Sequence, residues 1–177
     1  MNVIETKLKG CFILEPKVFN DDRGYFFESF NQQTFEKLTG QKGHFVQDNQ
    51  SASTYGVIRG LHFQKGDHAQ AKLVRVLAGK VLDVAVDIRP DSPTYGEWVA
   101  VELTIENNRQ LYVPRGFAHG FSVLSETAVF AYKCDNFYHK DAEGGLLYND
   151  PTLNINWQIP EDKAILSEKD VQLPNFK

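Results

Sequence analysis

The sequence is poor in the features that mark secreted, membrane-spanning or metal-binding proteins. It has two cysteines, Cys11 and Cys134, far apart and in no CxxC pair, so neither a disulfide framework nor a thiolate zinc site is predicted. Both read as reduced thiols, which fits the cytoplasm. No apolar run approaches the roughly 20 residues that a membrane span needs. The N-terminal MNVIETKLKGCFILEPK carries charges where a signal peptide would have an uninterrupted apolar stretch. Excess positive charge is lacking as well: 19 Lys and Arg stand against 23 Asp and Glu, a formal net charge of -4. This argues against a nucleic-acid polymer as partner, because phosphate backbones need a basic face. A local group of arginines and lysines would still hold one nucleotide. The histidines, His44, His62, His68, His119 and His139, form no HxH or HxxxH pair. No metal site is therefore expected, and His44, His68 and His139 are expected at the surface. A GxSxG serine motif is absent. Internal repeats and low-complexity linkers are absent too, so residues 1–177 are expected to form one domain.

Aromatic residues, by contrast, are plentiful: 13 Phe, 7 Tyr and 2 Trp. Rings pack well on pleated surfaces and on pocket walls. One short helix is predicted in FNQQTFEKLTG, with Asn31 as N-cap, Phe30 and Phe35 as a hydrophobic staple, and Gly40 as the stop. Most of the remainder alternates like strands. KLVRVLAG and KVLDVAVDI flank a turn at Gly79-Lys80, and in the second Leu82, Val84, Val86 and Ile88 share one face while Val81, Asp83, Ala85 and Asp87 share the other. WVAVELTI and RQLYVP flank Glu106-Asn107-Asn108, which reads as a hairpin because Asn tolerates positive φ. HGFSVLS and AVFAYKCDNFY follow, around Ser125-Glu126-Thr127. Many short strands at close spacing predict an all-β sandwich or barrel. The turn-rich C-terminal NDPTLNINWQIPEDKAILSEKD is expected to pack across the outside or over a mouth.

Two stretches carry chemistry of a less ordinary kind. In VIRGLHFQ, Val57 to Gln64, strand alternation puts Arg59 and His62 on opposite faces. For both to serve one pocket the strand must bend between them, and Gly60 is the residue that permits it. In VPRGFAHGF, His119 shares parity with Phe117 and Phe121, and an ordinary inward-facing histidine is the plainer reading. Tyr132, Cys134 and Tyr138 share a parity on the next strand, where a tyrosine is either core or a proton donor. Lys72 begins a strand on the face of Val74 and Val76. Asp83 faces away from its strand's aliphatic stripe and is a candidate to buttress a site.

DDRGYFFESF, FVQDNQS, VIRGLHFQ, AKLVRVLAGKVLDVAVDIR, VPRGFAHGF, YKCDNFY, EGGLLYNDP and LSEKD occur in this order. With them the chain closely resembles the dTDP-4-dehydrorhamnose 3,5-epimerase family, from about Phe12 to Asp170. The departures are Tyr148 before NDP, where many relatives have Trp, and Gln158, where Pro often follows the Trp. The resemblance implies a cupin-like jelly-roll (a double-stranded β-helix barrel), a homodimer, and a cofactor-independent inversion at carbons 3 and 5 of dTDP-4-dehydro-6-deoxy-glucose. It also implies His62 as base, Asp170 as its carboxylate partner, Tyr132 as donor on the opposite face, and Lys72 near the keto oxygen. Arg23, Glu28, Gln47, Asp48, Asn49, Arg59, Lys72, His119, Tyr138, Glu143 and Lys169 match substrate contacts, with Arg23 and Arg59 suited to a diphosphate because guanidinium grips phosphate oxygens in pairs. The N-terminal segment carrying Arg23 and Glu28 is a candidate for exchange between subunits. The chemistry is intelligible from the residues: both carbons flank a ketone, so a base, an acid on the other face and a donor at the enolate oxygen suffice. Three rival functions make different demands on the sequence. A sister enzyme inverting only carbon 3 of a related sugar would share His62, Asp170 and Tyr132. A silent sugar-nucleotide binder should have lost the base or its partner, and both are present. A metal-dependent cupin oxygenase lacks its histidine pair.

Overall fold

The computed structural model, which describes residues 1–177, has thirteen strands and one short α-helix, with eleven of the strands in two facing sheets. The strands are β1 (Asn2–Glu5), β2 (Phe12–Glu15), β3 (Phe19–Asp21), β4 (Gly24–Phe26), β5 (Gln47–Thr54), β6 (Ile58–Gln64), β7 (Lys72–Ala78), β8 (Lys80–Asp87), β9 (Trp98–Thr104), β10 (Gln110–Val113), β11 (Phe117–Val123), β12 (Thr127–Cys134) and β13 (Glu143–Gly145). One sheet has the order β1-β2-β10-β7-β12-β5, the other β13-β6-β11-β8-β9, and β3 and β4 form a separate hairpin. Named-strand pairs are all antiparallel. This is the cupin-like jelly roll that the resemblance implied.

The helix α1 (Gln32–Thr39) obeys its local signals. The Asn31 side chain accepts from the Thr34 N–H, Gly40 closes the helix in the left-handed region, and Phe30 lies 6.0 Å from Phe35. The strand junctions differ from the sequence reading in one respect. Glu106-Asn107-Asn108 is not a hairpin, because β9 belongs to one sheet and β10 to the other. The turns at Gly79-Lys80 and Ser125–Thr127 likewise carry the chain from sheet to sheet. Asn108 does adopt positive φ, at 51°. The chain uses it at a barrel corner, where Val101, Leu103, Leu111 and Val113 enter a shared core. Alternation fixes which residues turn inward, not which sheet presents them.

That shared core explains the pattern of β8. Val81 and Ala85 point into the space between the sheets, beside Phe117, Phe121 and Phe130. The aliphatic stripe of Leu82, Val84 and Val86 points outward, where Leu146, Leu153, Ile155 and Trp157 cover it. The C-terminal segment therefore does pack across the outside of the barrel. A third cluster, Leu14, Phe35, Leu73 and Tyr112, seats α1 on the outer face of the other sheet.

Candidate functional site

Between the sheets opens a cavity of about 520 Å³ whose walls come from both of them. The five-stranded sheet contributes Arg59, His62 and His119; the six-stranded sheet contributes Asn49, Ser51, Lys72 and Tyr132; the C-terminal segment adds Lys169 and Asp170. The predicted bend in β6 is what brings Arg59 and His62 together. His62 faces His119 and Arg59 faces Phe121, so three steps on β6 match two on β11, a bulge. Gly60 sits inside it at φ 134°, where a Cβ would lie 2.6 Å from Gly120 Cα. Only glycine allows that approach.

His62 Nε2 lies 2.6 Å from Oδ1 of Asp170, which is 4% exposed. A carboxylate there holds the ring proton on Nε2 and leaves Nδ1 as the basic nitrogen. Burial pulls the His62 pKa below its usual 6.5, and the Asp170 hydrogen bond and charge oppose that shift. His119, in register with His62 on the neighbouring strand, is also buried and lies 3.0 Å from both oxygens of Asp83. Asp83, 0% exposed, thus buttresses the site as its parity suggested. Two imidazole–carboxylate pairs stand side by side on one wall.

On the opposite wall Tyr132 pairs in register with Val74 and Asn49, and the Lys72 ammonium lies 5.6 Å from its ring centroid. Burial raises the Tyr132 pKa above 10, so the phenol keeps its proton. Burial lowers the Lys72 pKa, against the pull of Cys134 and Asp83. Lys72 is therefore not the solvated strand end it resembles in isolation. The Arg59 Nε donates to Ser53 Oγ at 3.1 Å, which aims the guanidinium at the cavity rim.

At the mouth Lys169 meets Glu143 at 2.6 Å, and that hydrogen bond holds the Glu143 carboxyl below its usual range. Gln47 Nε2 donates to Asn49 Oδ1 at 3.1 Å, while Gln47 Oε1 accepts from the Tyr138 N–H. Tyr138 is not on the strand of Tyr132: β12 ends at Cys134, and Tyr138 is 54% exposed in the loop beyond. Asp48 turns the other way, because 47, 49, 51 and 53 alternate inward, and it pairs with Lys133 at 2.9 Å on the outer face. Arg23 and Glu28 do not reach this cavity. Arg23 pairs with Asp21 on the exposed β3–β4 hairpin, and Glu28 accepts from Asn31 Nδ2. Strand parity would also have found Ser51 and Ser53, which the sequence reading missed. Cys11 and Cys134 are free and buried. His44, His68 and His139 are exposed, the last two with rings stacked 4.0 Å apart. No three His, Cys, Asp or Glu side chains come together as a metal site would require.

Comparison with known proteins shows the family. The family model described as dTDP-4-dehydrorhamnose 3,5-epimerase matches residues 5–177. The dTDP-4-dehydrorhamnose 3,5-epimerase of Shigella flexneri is 56% identical over 176 residues, 99% of this chain and 96% of that one. The crystal structure of the enzyme of that name from Elizabethkingia anophelis superposes with a TM-score of 0.97 at 62% identity, covering 99% of this chain and 96% of the other. A dTDP-6-deoxy-D-glucose-3,5-epimerase from Legionella pneumophila, solved in complex with dTDP-4-keto-L-rhamnose, gives 0.93 at 49% identity, with 99% and 98% covered. The chain belongs to the dTDP-4-dehydrorhamnose 3,5-epimerase family.

Proposed function

We propose that the protein inverts carbons 3 and 5 of dTDP-4-dehydro-6-deoxy-D-glucose, giving dTDP-4-dehydro-L-rhamnose. The observation that carries the reading is the His62–Asp170 pair on one wall of a cavity with Tyr132 and Lys72 on the other. His62 Nδ1 takes the proton beside the ketone; the electron pair moves into the carbonyl to give an enolate; Lys72 donates a hydrogen bond to its oxygen. One such donor is worth about 3 kcal/mol at the transition state. A proton delivered to the far face of the same carbon, with Tyr132 as donor, completes the inversion. Asp170 stabilises the imidazolium that forms meanwhile. Every step draws on protein groups alone, with no cofactor. Arg59, Asn49, Gln47, His119, Tyr138, Glu143 and Lys169 are assigned to holding the nucleotide sugar.

The β3–β4 hairpin supports a homodimer. Phe19, Tyr25 and Phe26 are 53%, 59% and 70% exposed, an apolar surface that water disfavours. We assign it to the partner's cavity, where it would deliver Arg23 and Glu28 to the diphosphate and sugar. The chain reads as one domain in which the two sheets and the C-terminal segment are packed together. No helix is long and apolar enough to cross a membrane, and the two free buried thiols favour the cytoplasm.

The test is incubation with that keto sugar in deuterated water. Solvent deuterium should enter both carbon 3 and carbon 5 of the product. Exchange at carbon 3 alone would make the protein a 3-epimerase, and no exchange a binding protein. Tyr132→Phe should exchange substrate protons faster than it forms inverted product, chiefly at carbon 5, the centre to which we assign Tyr132 as donor. Equal loss of both would strip Tyr132 of the donor role.

A further inference from the structure

The stretch EGGLLYND, Glu143 to Asp150, has so far contributed only Glu143 to the site, yet it runs beside both β6, which carries His62, and the residues that follow Asp170. On one side it runs along β6. Gly145 faces His62 in register, and Leu61 and Leu146 exchange backbone hydrogen bonds of 3.1 and 2.9 Å. On the other side lies the last segment of the chain. The Leu147 N–H donates to Pro174 O at 2.8 Å, and the Phe176 N–H donates to Asp150 Oδ2 at 2.8 Å. A Cβ at Gly145 would lie 2.7 Å from both Leu173 methyls, so that segment rests directly on the glycine.

Asp150 is 1% exposed, and its carboxylate accepts three hydrogen bonds, all from backbone N–H groups. Oδ1 takes Thr152 and Leu153, both at 2.8 Å, closing a local turn. Oδ2 takes only Phe176. The other end of the C-terminal segment is fixed where Ile165 donates to Gly56 O at 2.9 Å and accepts from the Ile58 N–H at 3.0 Å. Asp170 hangs between these two anchors. Its N–H donates to Ser167 O and Oγ, each at 3.1 Å, while its neighbour Val171 is 53% exposed and adds no apolar anchor of its own.

We propose that Asp150 is a positioning residue for the catalytic pair. By holding Phe176 to the turn that follows the strand beside His62, it helps set the distance at which Asp170 meets the imidazole. The inference rests on the proposed role of His62 as base. A hydrogen bond to a carboxylate is roughly twice as strong as a neutral one, so of the two ties on this segment the Asp150 bond is the stronger latch and the Leu147 N–H to Pro174 O bond the weaker.

Asp150→Asn keeps one oxygen for Thr152 and Leu153 and turns an NH₂ toward Phe176, so the tie to the last segment is the one lost. The experiment is a double-mutant cycle on turnover with Asp150→Asn, Asp170→Asn and both together. Asp150→Asn alone should lower kcat about tenfold to a hundredfold, the scale of a misplacement of about 1 Å near the reacting groups. In the Asp170→Asn background it should change nothing further. Equal losses in both backgrounds would overturn the proposal, as would an unchanged kcat in the single variant. If Asp150→Asn fails to fold, Phe176→Pro and Phe176→Ala make the same test. Both lose the ring packed 4.9 Å from Tyr95, but only proline loses the N–H. Proline must be the slower; equal rates overturn the latch. An Asp170→Asn variant as fast as wild type would instead overturn the catalytic pair itself, and the latch with it, so the two failures are distinct.

Discussion

His62 is set up as a base by two opposed influences. Burial disfavours its charged form, and Asp170 favours it, with burial the stronger. The imidazole is therefore neutral at pH 7 and able to take a proton. The acid limb of kcat/KM should fall through a pKa below 6.5, since activity is lost as His62 gains its proton. Asp170→Asn removes the group that raises this pKa, so the limb should move to still lower pH while the rate drops. A pH–rate series on both proteins checks this; a limb that does not move would separate Asp170 from His62. The histidine, lysine and tyrosine of this site were picked out by the family resemblance; taken singly, each residue type suits a core or strand-end position as well as it suits the chemistry. Asp48 was misplaced because adjacent strand residues face opposite ways, and Asp48 follows Gln47 and precedes Asn49 on the outward parity. Tyr138 was misplaced because nothing local marks the end of β12 at Cys134.

Among the elements, β6 matters most, because its bulge turns two side chains of opposite parity into one pocket. Gly60→Ala should cost roughly 1–3 kcal/mol, the scale of one residue forced into a sparsely populated conformation. It should also lower activity beyond what the stability loss explains, because the bulge aims Arg59 and His62. Thermal unfolding together with turnover at a temperature where the variant stays folded checks it; full activity would make the bulge incidental. That bulge could be inferred from two functional residues with incompatible parity around a glycine. The helix was equally readable, from Asn31 and Gly40, since caps are chosen by local hydrogen bonding. Strand partnership was not readable at Glu106–Asn108. Its turn residues suit a hairpin, and the sheet exchange is decided by residues far along the chain that offer each strand its ladder.

At the scale of the whole molecule, the exposed hairpin and the cavity define a test of the proposed dimer. Arg23→Ala and His62→Ala should each be nearly inactive. If the hairpin reaches into the partner, mixing the two variants under exchange conditions places both lesions in one site and leaves the other intact. Random exchange should then recover about a quarter of wild-type activity, since half the dimers are mixed and each carries one sound site. Recovery of none would put Arg23 and His62 in the same subunit's site.

Strands that are neighbours in space are mostly remote along the chain, and this bears on how the protein is made. As it leaves the ribosome, β5 must wait for β12, with Thr54 meeting Thr127 and Gln47 meeting Cys134, and β2 must wait for β10. Neither wall of the barrel is complete until translation has passed Cys134. At about 5–20 residues per second, the nascent chain spends seconds with its core valines and phenylalanines uncovered. Topologies dominated by distant pairings are also slow to close, in milliseconds to seconds. Asp170 emerges after every strand, so the base receives its carboxylate only once both walls have been made, and growing chains should depend on chaperones more than their length suggests.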